Sequence, residues 1–347
     1  MKANYAVVAL VCLVTPLLSA QEKEFTPSGK ISGLMFGEYF YNIEQRDESR
    51  QDLNGFQFRR IYFTYDYGIA ENFATRFRLE ADQVANTSNG KIGVFVKDAY
   101  LQWKNVLSGS DLFFGISPTP AFDVSEAAWG YRSLEKTIMD LRGTVGSRDI
   151  GIDVKGKLME DGTLRYWVKV GNNSGNAPET DKYKRYYGNI HVKLSSNLQA
   201  TLYGDFDTRA KRIDAVDGQL KSNNRATVAG FLHFAQQDVF SIGVEAMYQT
   251  QQNNFRPIPA NVFQSQQIFG VSLFTWYSVS PQVRVVGRYD TFDPNTDLDD
   301  DGVSLLILAL DYIAAKDVHI IPNIYIQSYQ ANVSNDVIAR LTLGYSY

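Results

Sequence analysis

Seven charged side chains stand close together in one stretch, PTPAFDVSEAAWGYRSLEKTIMDLRGTVGS, residues 118–147: Asp123, Glu126, Arg132, Glu135, Lys136, Asp140 and Arg142. Both signs are present, with no histidine or cysteine among them. Such a set can impose a transverse electric field across a narrow aqueous passage. An external flap, with a short helix near 133–141, would carry the same charges. A second set of cations recurs at alternate positions elsewhere: Arg60, Arg76, Arg78, Lys155, Lys157, Arg165, Lys169, Arg185, Lys193, Arg284 and Arg288. Rings of Lys and Arg favour anions. Pairing with carboxylates on neighbouring strands would instead make a general polar wall. Both readings stay open at this level.

Other chemistry finds little support. The histidines, His191, His233 and His319, have no serine two positions away on either side, so a Ser–His pair on one strand is excluded. Asp297-Leu298-Asp299-Asp300-Asp301-Gly302 opens like a calcium loop, but its closing ligand would fall on Leu308. That segment reads as an acidic external loop. The single cysteine, Cys12, lies in the leader, which removes disulfides and thiol–zinc sites from the rest of the chain. A net charge of −4 gives no nucleic-acid signature. No catalytic residue, cofactor or metal is expected, and the chain is not expected to be an enzyme.

The elements that would carry these charges show a period of two. In FATRFRLEAD, Phe73, Thr75, Phe77, Leu79 and Ala81 share one face, and Arg76, Arg78, Glu80 and Asp82 share the other. A strand keeps that separation and a helix scrambles it. Ile150–Leu158, Leu164–Val170, Tyr186–Leu194 and Val283–Asp290 repeat it. Carried along the chain, the pattern predicts about sixteen strands of the length a tilted membrane strand needs. The segment 302–313 fits poorly, being apolar on both faces, and parity changes near Lys97. Short links such as Ser196-Asn197 and Gln237-Asp238 alternate with long polar ones such as 209–224. That alternation is the mark of outer-membrane barrels, and an even strand count puts both ends in the periplasm. A soluble β-sandwich or propeller would share the alternation in hydropathy but not the rest.

The ends agree with export. Lys2, the apolar run Ala6–Leu18 and Leu18-Ser19-Ala20 read as a signal peptide over residues 1–20, leaving one barrel domain over 21–347. The chain closes VIARLTLGYSY, with Leu341, Leu343, Tyr345 and Tyr347 on one face and an aromatic last residue. This resembles the C-terminal signal by which outer-membrane proteins reach the barrel assembly machinery.

Several motifs occur in a fixed order: Arg59-Arg60 on the second strand, Asp98-Ala99-Tyr100, Gly115–Phe122, Glu135-Lys136 and Arg148-Asp149-Ile150-Gly151. Together, over roughly residues 55–158, they resemble the phosphate-selective porin O/P family. Gly115-Ile116 stands where members commonly have Gly-Gln, and no Gly follows Phe122. The alternation reads as an all-β, antiparallel transmembrane barrel, and residues 118–147 form its third long connection, the one that general porins fold into the lumen; the resemblance implies sixteen strands and a porin. It further implies a homotrimer in the outer-membrane lipid of a Gram-negative bacterium. The expected activity is passive diffusion of small hydrophilic solutes, with anions such as phosphate as candidates. A barrel with a plugged lumen, serving adhesion or assembly, is the alternative.

Overall fold

The computed structural model describes residues 25–82, 91–256 and 263–347. The signal peptide expected at 1–20 lies outside these residues. Sixteen antiparallel strands close into one barrel. They are β1 (Ser28–Glu44), β2 (Asn54–Ala70), β3 (Phe73–Asp82), β4 (Gly93–Leu107), β5 (Ser110–Pro118), β6 (Arg148–Lys157), β7 (Leu164–Gly171) and β8 (Arg185–Lys193). After these come β9 (Leu198–Asp207), β10 (Arg225–Gln236), β11 (Phe240–Phe255), β12 (Gln264–Ser280), β13 (Val283–Asp293), β14 (Val303–Ala315), β15 (Val318–Tyr329) and β16 (Asp336–Ser346). Each strand pairs with its neighbours in sequence, and β16 returns to β1. Gly33 and Tyr347 seal that seam by exchanging backbone hydrogen bonds of 2.9 and 3.0 Å. Closure leaves no strand edge unpaired, as a lipid environment demands.

The two faces are inverted relative to a soluble protein. Phe77, Val168, Leu202, Leu308 and Leu341 point outward and are exposed. Glu80, Asp98, Asp153, Arg185 and Asp290 point inward and are buried. An apolar exterior around a charged interior is stable only with lipid outside, which rules out the soluble sandwich or propeller. The links follow the expected rhythm. Short turns such as 71–72, 108–109, 237–239 and 316–317 lie at one rim together with the start of β1 and the end of β16, and the long loops lie at the other. In outer-membrane barrels the turn rim is periplasmic.

Bulges in the body of β2 and of β4 shift the inward–outward alternation at the level of the 118–147 loop; other register shifts lie toward strand ends. In β2 the pairing with β1 jumps from Arg60 to Phe58, so Arg59 is the extra residue. In β4 the pairing with β3 jumps from Asp98 to Val96, so Lys97 is the extra residue. A bulge re-aims the side chains around it. Both Arg59 and Arg60, and both Lys97 and Asp98, therefore make ion pairs within the barrel. The parity change near Lys97 in the sequence is this bulge.

The chain between β5 and β6 leaves the wall and crosses the lumen. It forms α1 (Asp123–Trp129), stopped by Gly130 in the left-handed region at φ 69°, and a one-turn helix, α2 (Ile138–Leu141). The helical residues expected near 133–141 are thus confined to that last turn, and the main helix lies earlier. Trp129, Tyr131 and Leu134 pack against Phe231, Phe274, Val286, Leu305, Ile307 and Ile321, all inward-facing wall residues. Ile138, Met139 and Val145 pack with Tyr187, Tyr203, Met247 and Phe292. Burying each large apolar side chain contributes about 1.5–3 kcal/mol, so the loop is held chiefly by this contact. It also accounts for β14, which is apolar on both faces: its outer face meets lipid and its inner face meets the loop.

Candidate pore constriction and lumen wall

Polar contacts fasten the rest of the loop. Arg59 donates to the carbonyls of Leu134 (2.6 Å) and Ser133 (3.2 Å), and its guanidinium lies 3.3 Å from the Glu135 carboxylate. Glu135 also accepts from the backbone of Lys136 at 2.9 Å. Burial opposes its charge, but Arg59 and Arg340 hold the Glu135 carboxyl below the usual carboxylate range. Trp129 Nε1 donates to the Glu135 carbonyl, 2.8 Å away. Arg288 donates to the Lys136 carbonyl. Tyr131 donates to Asp311 at 3.0 Å, Ser125 to Glu245 at 3.1 Å, and Gln249 to the Thr144 carbonyl at 3.0 Å. Burial, then Asp311, raises the Tyr131 phenol above its ordinary value, so it stays a donor. These partners come from β2, β11, β13 and β14, on several sides of the lumen.

The seven loop charges fall into separate roles. Arg132 pairs with Glu126 and, at 2.9 Å, with Asp140. Glu135 and the Lys136 backbone serve the anchor. Arg142 donates to Gln327 at 3.1 Å and lies over the Phe292 ring. Asp123, at the start of α1, faces a cavity toward the turn rim.

Most of the cations expected on the wall are there, and most are neutralised. Arg76 pairs with Asp66 (2.7 Å), Arg60 with Glu80 (2.7 Å) and Arg78 with Asp98 (3.3 Å). Lys169 pairs with Asp153 (3.2 Å), Arg185 with Asp205 (2.9 Å) and Arg288 with Asp290 (2.6 Å). Pairing with carboxylates, across neighbouring strands for all of these but Arg288, which pairs within its own strand, therefore governs this part of the wall. Lys155, Lys157, Arg165 and Lys193 differ. They line a cavity of about 680 Å³ on the turn side of α1, together with Asp111 and Asp123. Among the described residues none of the four makes an ion pair. Lys155 instead lies between the rings of Phe113 and Trp167, 4.5 and 4.4 Å from their centroids. Lys157 and Arg165 stand directly opposite each other across β6 and β7.

Sequence parity missed Arg59 and Lys97, which the bulges bring inside, and Arg148, which pairs with Asp98 from the end of the loop. It also missed a Ser–His contact between strands: Ser241 Oγ lies 2.8 Å from His233 Nε2, and Gln199 joins His233 to His191. Ser241 is buried, and with His233 and Gln199 it lies in the wall of a cavity of about 620 Å³ beneath the loop.

A closed barrel, polar within and apolar without, with a loop folded across its lumen, is the porin architecture of the bacterial outer membrane. Solved structures share it. The outer membrane channel DcaP of Acinetobacter baumannii aligns with a TM-score of 0.69 at 16% identity, over 92% of this chain and 97% of that one. An anion-selective porin from Comamonas acidovorans aligns at 0.68 and 11% identity, over 93% and 100%. Outer-membrane expressed OmpT of Vibrio cholerae aligns at 0.64 and 13% identity, over 94% and 99%. At these identities the likeness is one of fold. No known family profile matches the sequence, and no curated protein matches it.

Proposed function

We propose that this chain is a diffusion porin, a water-filled channel for small hydrophilic solutes with a preference for anions. The observation that carries the reading is the loop itself. Apolar packing and several polar anchors hold it across the lumen, with cavities of about 680 and 620 Å³ on its turn side and about 280 Å³ on its loop side. The anion preference is supported by the four cations below α1, Lys155, Lys157, Arg165 and Lys193, which make no ion pair among the described residues; Arg148, Arg185, Arg209 and Arg225 around the cavity above are each paired with a carboxylate. Paired wall cations such as Arg76 and Lys169 add polarity but little net field. Phosphate is the candidate that the motif resemblance adds. Arg132, Lys136 and Arg142, with Asp123, Glu126, Glu135 and Asp140, would shape the narrowest part. A signal peptide over residues 1–20 and a homotrimeric assembly complete the reading; one solved form of OmpT is a trimer.

Reversal potentials in planar bilayers under a salt gradient test the preference. Lys155→Gln with Lys157→Gln should lower anion relative to cation permeability severalfold, while Lys211→Gln in an external loop should leave it unchanged. A wild-type ratio in the double variant would refute the assignment. Absence of any current would favour the plugged scaffold, as the burial of so many lumen charges could allow.

A further inference from the structure

We infer that the vestibule beneath α1 contains a subsite for acidic amino acids, solutes with two carboxylates and one ammonium. This rests on the channel reading and names a solute class for it. The site is the cavity of about 680 Å³ between α1 and the turn-side ends of β6, β7 and β8. Arg165 is the centre of its cationic wall. It stands directly opposite Lys157 on β6 and His191 on β8, and Lys155 and Lys193 are its diagonal neighbours. Directly opposite residues lie about 5 Å apart at Cβ and diagonal ones about 7–8 Å, and like charges so placed weaken a sheet.

Elsewhere on the wall a carboxylate relieves such crowding, as Asp153 does for Lys169 and Asp205 for Arg185. Here the four cations make no ion pair among the described residues. Arg165 Nε donates to the Gly162 carbonyl at 3.2 Å, and its two terminal nitrogens make no hydrogen bond among the described residues. His191 beside it is engaged through Nε2 with Gln199, 2.9 Å away. The opposite sign comes from α1. Asp123, its first residue, is exposed and makes neither an ion pair nor a side-chain hydrogen bond among the described residues. Its charge acts on His191 together with those of Arg165 and Lys193, so it faces the cationic wall across the cavity. The other carboxylate of the lining, Asp111, accepts from Gln102 at 2.7 Å and from the Asn105 backbone at 2.9 Å. Four cations against two carboxylates leave the lining with a net charge of +2.

These groups select one ligand chemistry. A monocarboxylate or an inorganic anion brings a single head to four cations and nothing to Asp123. A plain dicarboxylate engages more of the cations and is repelled by Asp123. A solute with two carboxylates and an ammonium answers every group. One carboxylate takes the Arg165 fork beside Lys157, the other takes Lys155 or Lys193, and the ammonium turns to Asp123.

Calorimetric titration of the full barrel in detergent tests this, with glutamate, glutarate (no ammonium) and 4-aminobutyrate (one carboxylate) as probes. Glutamate should bind at one equivalent, about fivefold tighter than either control. Arg165→Gln should weaken glutamate and glutarate about tenfold. Asp123→Asn should weaken glutamate and strengthen glutarate, so that the preference between them reverses. Lys211→Gln, in an external loop, should alter none. Heat-modifiable mobility in gels shows that each variant has folded. Equal affinity for glutamate and glutarate, an unchanged preference in Asp123→Asn, or wild-type glutamate binding by Arg165→Gln overturns the inference. A barrel that passes no KCl current would refute the channel reading, and the calorimetry would still report on the subsite.

Discussion

Arg59 lies on a strand at the barrel wall and donates a 2.6 Å hydrogen bond to the carbonyl of Leu134, at the tip of a loop 75 residues further on. The bulge in β2 makes this contact possible, because regular alternation would turn Arg59 or Arg60 toward lipid. An extra residue in one strand thus becomes a clasp on the constriction. Apolar packing fixes the plane of the loop, and the clasp fixes its edge.

The clasp should release in acid. Glu135 titrates below its ordinary value of 4.5 because Arg59 and Arg340 outweigh its burial. A carboxyl with a lowered folded-state pKa adds stability above its unfolded pKa, and that stability is lost as pH falls through the folded pKa. Loop anchoring should therefore be constant from pH 7 to about pH 5 and weaken below about pH 4. Current noise in bilayers, or proteolysis of the loop, would follow it. Glu135→Gln should show the loosened behaviour already at neutral pH. An acid response identical in this variant and the wild type would assign the effect to other carboxylates.

The outward face should reject charge. Phe77, Val154, Val168, Val192 and Leu341 alternate with lumen residues on their strands. An Arg at a midplane position among them should cost about 2–4 kcal/mol. Urea titration of the five variants in lipid measures it. Near-zero cost at all five would contradict the assignment of the faces.

The last strand should matter for assembly. Leu341, Leu343, Tyr345 and Tyr347 all face outward, and Tyr347 pairs its backbone with Gly33 at the closing seam. Tyr347→Ser, and deletion of residues 345–347, should reduce the heat-modifiable barrel recovered from the outer membrane. Normal recovery of both would show that the terminal aromatic carries no assembly information.

The barrel was legible because lipid outside and water inside impose a strict period of two. Phe77 and Arg78 could be assigned to opposite faces without any tertiary information. What parity could not supply was its own exceptions. Arg59 and Lys97 depend on bulges, which follow from pairing between strands and leave only a doubled cation or a parity slip in the sequence. The loop was recognisable by its length and charge. Its mode of attachment was harder to see, because Trp129 and Leu134 bind inward-facing apolar residues scattered over β10 to β15. The two-faced apolarity of β14 was the one local sign of that contact. The ion pairs of Arg76, Lys169 and Arg185 required a register between neighbouring strands.

Single-channel conductance in planar bilayers tests the central claim most directly. The wild-type barrel should give stable ohmic steps in KCl. Arg59→Met combined with Trp129→Ala removes the clasp and the largest buried anchor, at a cost to loop docking of about 3–5 kcal/mol for the tryptophan alone. The combined variant should give larger and noisier steps. A wild type that passes no current, or a folded variant whose steps are unchanged, would contradict a channel narrowed by this loop.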